Sequence, residues 1–450
     1  MNTDVTKIRN SLAIVACKLL ILAGRLMGKK GSSAPGSIAM KISPGVLRSL
    51  ASQIKGDIIA VCGTNGKTTT NNMIDSLFSS AGKTVICNNY GANMLPGVAC
   101  AFISRASITG KLNADCAALE CDEASLRHIV KHVTPTKIVV TNLFRDQMDR
   151  YGEIESTAAL LNEAFEKVPE AMLILNADDP LCAQFGKGRN AVYYGVSEDT
   201  GLHGEEAKDG RFCPKCGGEL EYEYHHYSQL GKYKCIGCGF ERPNPNYSAT
   251  RVDISDGLKF VLSYKGSQHK LELNYRGFYN IYNIIASFAV YETAGGTIEE
   301  AKKVFDDYKP QLGRMETYKV GGKNVILNLA KNPAGFNQAI ETVCADKKAK
   351  DILIVINDKP SDGTDISWMW DVEFEKLKSA NLGRLVVSGL RKYDLGLRFK
   401  LCGFEGVVIE DISREALEGI ISGNGEVCYI LANYTALFET QKILKTMEDK

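Results

Sequence analysis

Residues 58–70 read IIAVCGTNGKTTT. The apolar run Ile58–Cys62 ends in the loop Gly63-Thr64-Asn65-Gly66-Lys67-Thr68-Thr69, and a helical pattern (Met73, Ile74, Leu77, Phe78) follows. A strand that delivers a Gly-rich loop onto a helix N-terminus makes a phosphate cradle. Its glycines let backbone N–H groups approach the oxygens, and the helix dipole favours the anion. Lys67 is placed to reach the β/γ-phosphates, and the Thr68 hydroxyl to sit on Mg²⁺. The ordinary pattern G-x-x-x-x-G-K-[ST] wants its first Gly where Val61 stands, so the loop is a shortened form. These residues imply an ATP site: Gly63, Thr64, Asn65, Gly66, Lys67, Thr68 and Thr69 bind phosphate.

Around this loop, strand-like runs alternate with helical ones: Thr84–Cys87, Cys116–Glu120, Lys137–Thr141 and Met172–Leu175, with helices such as Thr69–Ser80 and Ala158–Glu166. Strands separated by helices predict a parallel sheet with ligands at the strand C-terminal ends. A chain of 450 residues exceeds one core. The expected division is an N-terminal helical segment and linker (1–50), a central ATPase domain (51–312) interrupted at about 205–245, and a C-terminal α/β, Rossmann-like domain (313–450). The last has strands near Val325–Leu329, Ile352–Ile356, Arg384–Val387 and Val427–Leu431. A Gly/Ser/Pro stretch, 31–37, reads as the linker.

A net charge of +1 argues against a general nucleic-acid binder, and no nucleic-acid partner is expected. Many of the fourteen cysteines lie in apolar runs (Cys62, Cys87, Cys116), as reduced thiols in a cytoplasmic protein do. Leu12–Ala23 is apolar apart from Lys18 and is flanked by Arg9, Arg25, Lys29 and Lys30; it is too short to span a bilayer. It reads as a helix packed on the body or on a partner, with a helix lying on the inner face of the cell membrane as the alternative.

Cys213-Pro-Lys-Cys216 and Cys235-Ile-Gly-Cys238 form C-x₂-C-x₁₈-C-x₂-C. Two such knuckles present four thiolates, which predicts a closed, structural Zn²⁺ site held by Cys213, Cys216, Cys235 and Cys238. His225 and His226 lie between the pairs and are expected to be exposed polar residues rather than ligands.

Three carboxylate-bearing segments each follow a predicted strand: Glu120-Cys-Asp-Glu-Ala-Ser, Thr141-Asn-Leu-Phe-Arg-Asp146-Gln-Met-Asp149 and Asn176-Ala-Asp-Asp. Carboxylates there would hold Mg²⁺ beside Thr68, first Glu120 and then Asp146. In this order the segments resemble the central domain of the Mur ligases, with an E-x-S-S-type motif, T-N-x-x-x-D-H-x-D and N-x-D-D. Gly277-Phe-Tyr-Asn280-Ile-Tyr-Asn283 and Gly313-Arg314-Met-Glu fit the family's G-x-F-N-x-x-N and G-R-M-E segments. The resemblance implies nucleotide contacts from Asn280 and Arg314.

The chain also departs from those ligases. Gln147 stands where D-H-x-D has its histidine, the position of the carbamylated lysine falls on Leu161, and D-Y-A-H-x-P is rewritten as Asn328-Leu-Ala-Lys331-Asn332-Pro333. With the inserted ribbon, the ECDEAS and TNLFRDQMDR texts, NPAGFNQ (332–338) and DGTDISWMWD (362–371), the sequence resembles the MurT family. These are the Mur-ligase-like synthetase subunits of lipid II isoglutaminyl synthases.

That resemblance implies a glutamine-dependent ligase of peptidoglycan biosynthesis. The α-carboxyl of D-glutamate in the lipid II stem peptide becomes an acyl phosphate at the expense of ATP. Ammonia from a separate GatD-type class I amidotransferase subunit then gives D-isoglutamine. None of the six histidines (128, 132, 203, 225, 226, 269) has a persuasive catalytic setting, so ammonia must come from another chain. In the family, an aspartate of the C-terminal domain completes the partner's Cys-His pair; here it would be Asp362 or Asp365, with Asp358 third. The competing readings are a free-standing amino-acid ligase of the Mur or folylpolyglutamate type, and a zinc-ribbon, nucleic-acid-dependent ATPase.

Overall fold

The structure, a computed structural model, describes residues 3–26, 33–88, 92–144, 154–201, 210–255, 257–308 and 315–449. Nine strands form the first sheet, in the order Ser267–Leu273, Leu258–Tyr264, Tyr247–Asp253, Ala191–Val196, Met172–Asn176, Lys137–Val140, Ile58–Cys62, Cys116–Glu120 and Val85–Cys87. Tyr247–Asp253 and the six strands beyond it run parallel; the first two add an antiparallel edge.

Ile58–Cys62 lies near the centre and is buried at every position. Ile58, Ala60 and Cys62 face a core completed by the N-terminal helices, whereas Ile59 and Val61 face Met73, Ile74 and Leu77 of the helix that follows. A strand covered on both faces must be apolar throughout, which is why the run shows no alternation. Its helix runs Lys67–Ser80, two residues longer than the apolar pattern predicts, because Gly66 turns the chain at φ 86° and admits Lys67 to the first turn.

A hairpin, Leu220–Tyr227 with Leu230–Cys235, interrupts the chain between Ala191–Val196 and Tyr247–Asp253. These two strands nevertheless pair directly, Tyr194 opposite Tyr247. The second sheet has six strands, in the order Glu316–Val320, Lys323–Leu329, Val427–Ala432, Lys350–Val355, Leu382–Ser388 and Val408–Ile409. Only the first pair is antiparallel. Its faces are covered by Pro333–Ala345 and Lys392–Leu401 on one side, and by Arg414–Ile421 and Tyr434–Met447 on the other.

Three helices, Thr3–Leu26, Ala34–Ile42 and Val46–Ala51, precede the first strand. The stretch expected as a linker is partly helical from Ala34, with Pro35 in the first turn, where a missing N–H costs nothing. Ala13, Ile14 and Cys17 bury the long helix against the body. No helix among the described residues is long and apolar enough to cross a membrane.

Candidate active site

At the C-terminal end of Ile58–Cys62 the loop is fixed before any ligand arrives. Gly63 adopts φ 118°, and a Cβ there would stand 2.3 Å from Thr141 Oγ1. Gly66 is equally confined, its Cβ position lying 2.3 Å from Asn283 Oδ1. The neighbouring Thr141–Phe144 segment clamps the turn. The Thr64 N–H donates to the Asn142 carbonyl (2.8 Å), the Asn65 N–H donates to Asn142 Oδ1 (2.8 Å), and Thr141 Oγ1 donates to the Asn65 carbonyl (2.7 Å). The Thr64 hydroxyl accepts from the Phe144 N–H at 3.0 Å.

The helix that follows has no side-chain cap and no acidic residue in its first turn. Asp122, Thr297, Asn332 and Ser413 cap other helices with side-chain oxygens, while Ala34–Ile42, Leu95–Arg105 and Tyr434–Met447 share the uncapped start without a G-T-N-G-K sequence before it. The first N–H groups of an α-helix lack intrahelical partners, so an end left bare at the loop is shaped for an anion. Thr68 is half-buried there, its hydroxyl bonded to no described group, and Thr69 is buried.

Lys67 folds back over the loop. Its Nζ donates to the Gly63 carbonyl (2.5 Å) and to Glu123 Oε1 (2.9 Å), and the same carboxylate oxygen accepts the Gly63 N–H at 2.8 Å. Sequence reasoning missed Glu123; its place three residues after Glu120 on the strand-to-helix turn was the available signal. Glu120 ends the adjacent parallel strand, in register with Val61. It is 4% exposed, and its carboxylate has no hydrogen-bond or ion-pair partner among the described residues. Glu120 and Thr68 thus offer oxygen donors suited to Mg²⁺. Asp122 caps the helix Glu123–Ile129. Asp146 and Arg314 lie outside the described residues.

Asn280 is buried near the start of the helix Tyr279–Thr293, its amide donating to the Arg276 carbonyl and its Oδ1 accepting from Asn283. Asn283 is the residue that meets the loop: Thr70 Oγ1 donates to its Oδ1 at 3.2 Å. It lines a narrow cleft with Asn65, Gly66, Thr69, Tyr279 and, from the second sheet's layer, Gly335 and Gln338. Across this cleft the side-chain amides of Asn65 and Asn332 pair reciprocally (3.2 and 3.4 Å). Asn332 also caps its own helix through the Gly335 N–H. Leu161 is fully buried in the core, so no lysine-type group projects from that position.

Asn176 and Asp179 brace the site from behind. Asn176 Nδ2 donates to the Thr141 carbonyl (3.0 Å), and Asp179 Oδ2 accepts the Leu143 N–H (2.7 Å). Burial pushes the Asp179 carboxyl up to about 6 despite these hydrogen bonds.

In the hairpin, Cys213 and Cys238 sulfurs stand 3.6 Å apart, Cys216 and Cys235 sulfurs 3.5 Å, and all four lie within 4.8 Å of one another. Thiolates about 2.3 Å from a tetrahedral ion stand about 3.8 Å from each other, whereas disulfide sulfurs approach to about 2.05 Å. The cluster therefore has the dimensions of a four-thiolate metal site. His226 corrects the sequence reading: it is fully buried, 3.8 Å from Asp178, because the hairpin packs one face on the body. His225 is half-buried and stacks on Tyr222. Asp178 also receives Arg242 (2.6 Å) and the Tyr282 hydroxyl (2.7 Å), and so ties the hairpin to the first sheet and to the helix Tyr279–Thr293.

The three aspartates of the C-terminal loop have different settings. Asp362 is buried and accepts the Thr435 N–H (2.8 Å) and hydroxyl. Asp358 pairs with Arg391 at 2.5 Å. Asp365 accepts the Ser367 N–H at 2.8 Å and is half-buried.

Two family models match the chain: the Mur ligase middle domain at residues 61–216 and the MurT ligase C-terminal domain at residues 329–437. The lipid II isoglutaminyl synthase (glutamine-hydrolyzing) subunit MurT of Staphylococcus aureus (strain N315) is 36% identical over 438 residues, covering 95% of this chain and 96% of its own. The same subunit of Streptococcus pneumoniae (strain ATCC BAA-255 / R6) is 34% identical, covering 93% of each. Among solved structures, a pseudomurein peptide ligase type C from Methanothermus fervidus superposes with TM-score 0.70 at 24% identity, covering 89% of this chain and 80% of its own. MurF ligase from Thermotoga maritima in complex with ADP superposes with TM-score 0.66 at 13% identity, covering 92% and 84%. These two show the fold: the nine-stranded and six-stranded sheets are those of a Mur ligase.

Proposed function

The chain belongs to the MurT family of lipid II isoglutaminyl synthase subunits, and on that premise we propose that it amidates the α-carboxyl of D-glutamate in the lipid II stem peptide. The reaction is an ATP-dependent carbon–nitrogen ligation of peptidoglycan biosynthesis, carried out at the inner face of the cell membrane. The carboxylate oxygen attacks the γ-phosphorus of ATP, ADP leaves, and an acyl phosphate forms. Ammonia attacks the acyl carbon, phosphate departs with its bonding pair, and a proton is lost to give D-isoglutamine.

The bare, rigid N-terminus of Lys67–Ser80, overhung by the Lys67 ammonium, is the observation that carries this reading. Lys67 and the loop amides would stabilise negative charge building on the transferred phosphoryl group. Mg²⁺, held by Thr68 and Glu120 with Asp146 as a further ligand, would supply charge neutralisation and orientation of the phosphates. Asn280 and Arg314 are carried over from the family as nucleotide contacts, and the placement of Asn283 adds it to them. Zn²⁺ in the Cys213, Cys216, Cys235 and Cys238 cluster would be structural, since four thiolates leave no position for water. Leu161 in the core speaks against a free-standing amino-acid ligase of the ordinary Mur type.

Ammonia would come from a GatD-type class I glutaminase in a heterodimer. Asp362 or Asp365, with Asp358 third, would orient that partner's histidine. The test is co-expression with the glutaminase subunit, followed by mass spectrometry of lipid II after incubation with ATP, Mg²⁺ and glutamine. The expected result is carboxyl-to-amide conversion that Lys67→Ala slows by about 10²–10³-fold with either nitrogen donor. Asp362→Asn or Asp365→Asn should abolish only the glutamine-dependent reaction and leave the ammonia-dependent one intact. ATP hydrolysis stimulated by a free amino acid, without amidation of lipid II, would overturn the reading.

A further inference from the structure

The first helix, Thr3–Leu26, has two faces that the fold uses differently. Ala13, Ile14 and Cys17 are fully buried, and Ser43 donates to the buried Asn10 at 2.6 Å, so one face is fixed to the body. The opposite face leaves Ile8, Leu12, Val15, Leu19, Leu22 and Leu26 between 38% and 81% exposed. Their spacing alternates four and three residues, which aligns them in one stripe about 27 Å long at 1.5 Å per residue. A contiguous exposed apolar stripe of this length marks an interaction surface.

Charge selects the occupant. Residues 1–33 hold six lysines and arginines against the single acid Asp4, while the rest of the chain carries net −4. Lys7 and Arg25 are exposed beside the stripe. Arg9 and Lys18 are anchored on the Ile42 and Ser104 carbonyls, which places fixed positive charge at the helix flanks. A second copy of the helix would set these cations against one another, whereas an anionic surface neutralises all of them. The helix cannot cross a bilayer.

We propose that the exposed face of Thr3–Leu26 docks in the plane of an anionic phospholipid bilayer, its leucine stripe in the acyl boundary and its cations among the headgroup phosphates. The proposal deepens the reading of a lipid-linked substrate and rests on it, because docking holds the catalytic layers at the surface where that substrate resides.

Flotation of the purified heterodimer with vesicles tests it, using phosphatidylglycerol-containing vesicles against pure phosphatidylcholine. The wild type should float with the anionic vesicles and largely remain behind with the zwitterionic ones. Leu12→Glu/Leu19→Glu, two exposed positions whose change should leave the melting temperature unaltered, should lower vesicle binding by at least about tenfold. Lys7→Glu/Arg25→Glu should lower it several-fold and remove its salt dependence. Equal flotation of the leucine variant and the wild type would overturn the proposal. So would a wild type that ignores both vesicles, or one that self-associates through the stripe in light scattering and is dispersed by the leucine variant. Amidation of a muropeptide lacking the lipid is assayed in parallel. It should be the same in wild type and variants, so absent amidation with intact flotation would sink the catalytic reading and leave the docking proposal standing.

Discussion

The Lys67 ammonium and the Glu123 carboxylate are about one-tenth exposed and 2.9 Å apart, so the loop at rest carries its own counter-ion. An incoming triphosphate must compete with Glu123 for Lys67. Glu123→Gln keeps an acceptor for the Gly63 N–H but removes the charge. It should therefore tighten ATP binding in calorimetry while lowering stability by about 3 kcal/mol, since breaking a buried pair strands the other charge. Lys67→Ala should depress kcat by about 10²–10³-fold, the usual loss when one preorganised electrostatic group is removed. Lys67 stands plainly in the text of the sequence. Glu123 was hidden because its role depends on a parallel register that brings the end of Cys116–Glu120 beside the loop. Asp179 contributes a pH signature. Its carboxyl rises from 3.8 to about 6 through burial. The folded state thus holds this proton more tightly, and the resulting stability is present below pH 3.8 and is lost as pH rises through 6. Asp179→Asn should remove that component of the slope from denaturation measured across this window.

At the scale of elements, the strand, loop and helix around Gly63–Thr69 form one unit in which two glycines have no substitute. Gly66→Ala would place a methyl group against the Asn283 amide at positive φ, costing about 1–2 kcal/mol in backbone strain alone. It should weaken ATP affinity more than it lowers the melting temperature. The hairpin with its four-cysteine cluster, the proposed Zn²⁺ site, is a second unit. Chelation should release one equivalent of Zn²⁺ and raise hydrogen exchange across Leu220–Cys235, leaving exchange in Lys67–Ser80 unchanged. The knuckle spacing made this element legible because four thiolates at those intervals have few other uses. The packing of its histidines was not legible. Which face of a two-stranded ribbon meets the body depends on Asp178, Arg242 and Tyr282, far apart in the chain.

Across the whole molecule, the candidate cleft lies between two layers, joined among the described residues by pairs that include Asn65 with Asn332 and Arg276 with Asp346 (3.4 Å). Asn332→Ala removes the amide pair and a helix cap together. It should raise the KM for ATP and shift the small-angle scattering envelope of the unliganded protein outward. The alternation of strands and helices announced both sheets, because uniformly apolar runs of five residues are what doubly covered strands require. The interlayer amide pair could not be read, since its members are 267 positions apart and neither belongs to a charge motif. The position of the hairpin has a further consequence. Two parallel neighbours need a crossover connection, ordinarily a helix. Between Ala191–Val196 and Tyr247–Asp253 that task falls to the excursion carrying the four-cysteine cluster, which the proposed Zn²⁺ would staple. Seen as loop closure, losing the staple converts a folded bridge into a slack tether with the same endpoints. The entropy of closing such a tether grows only as the logarithm of its length. Metal starvation should therefore slow the annealing of the sheet's far edge during synthesis rather than prevent it, making the ion an aid to assembly as much as to endurance.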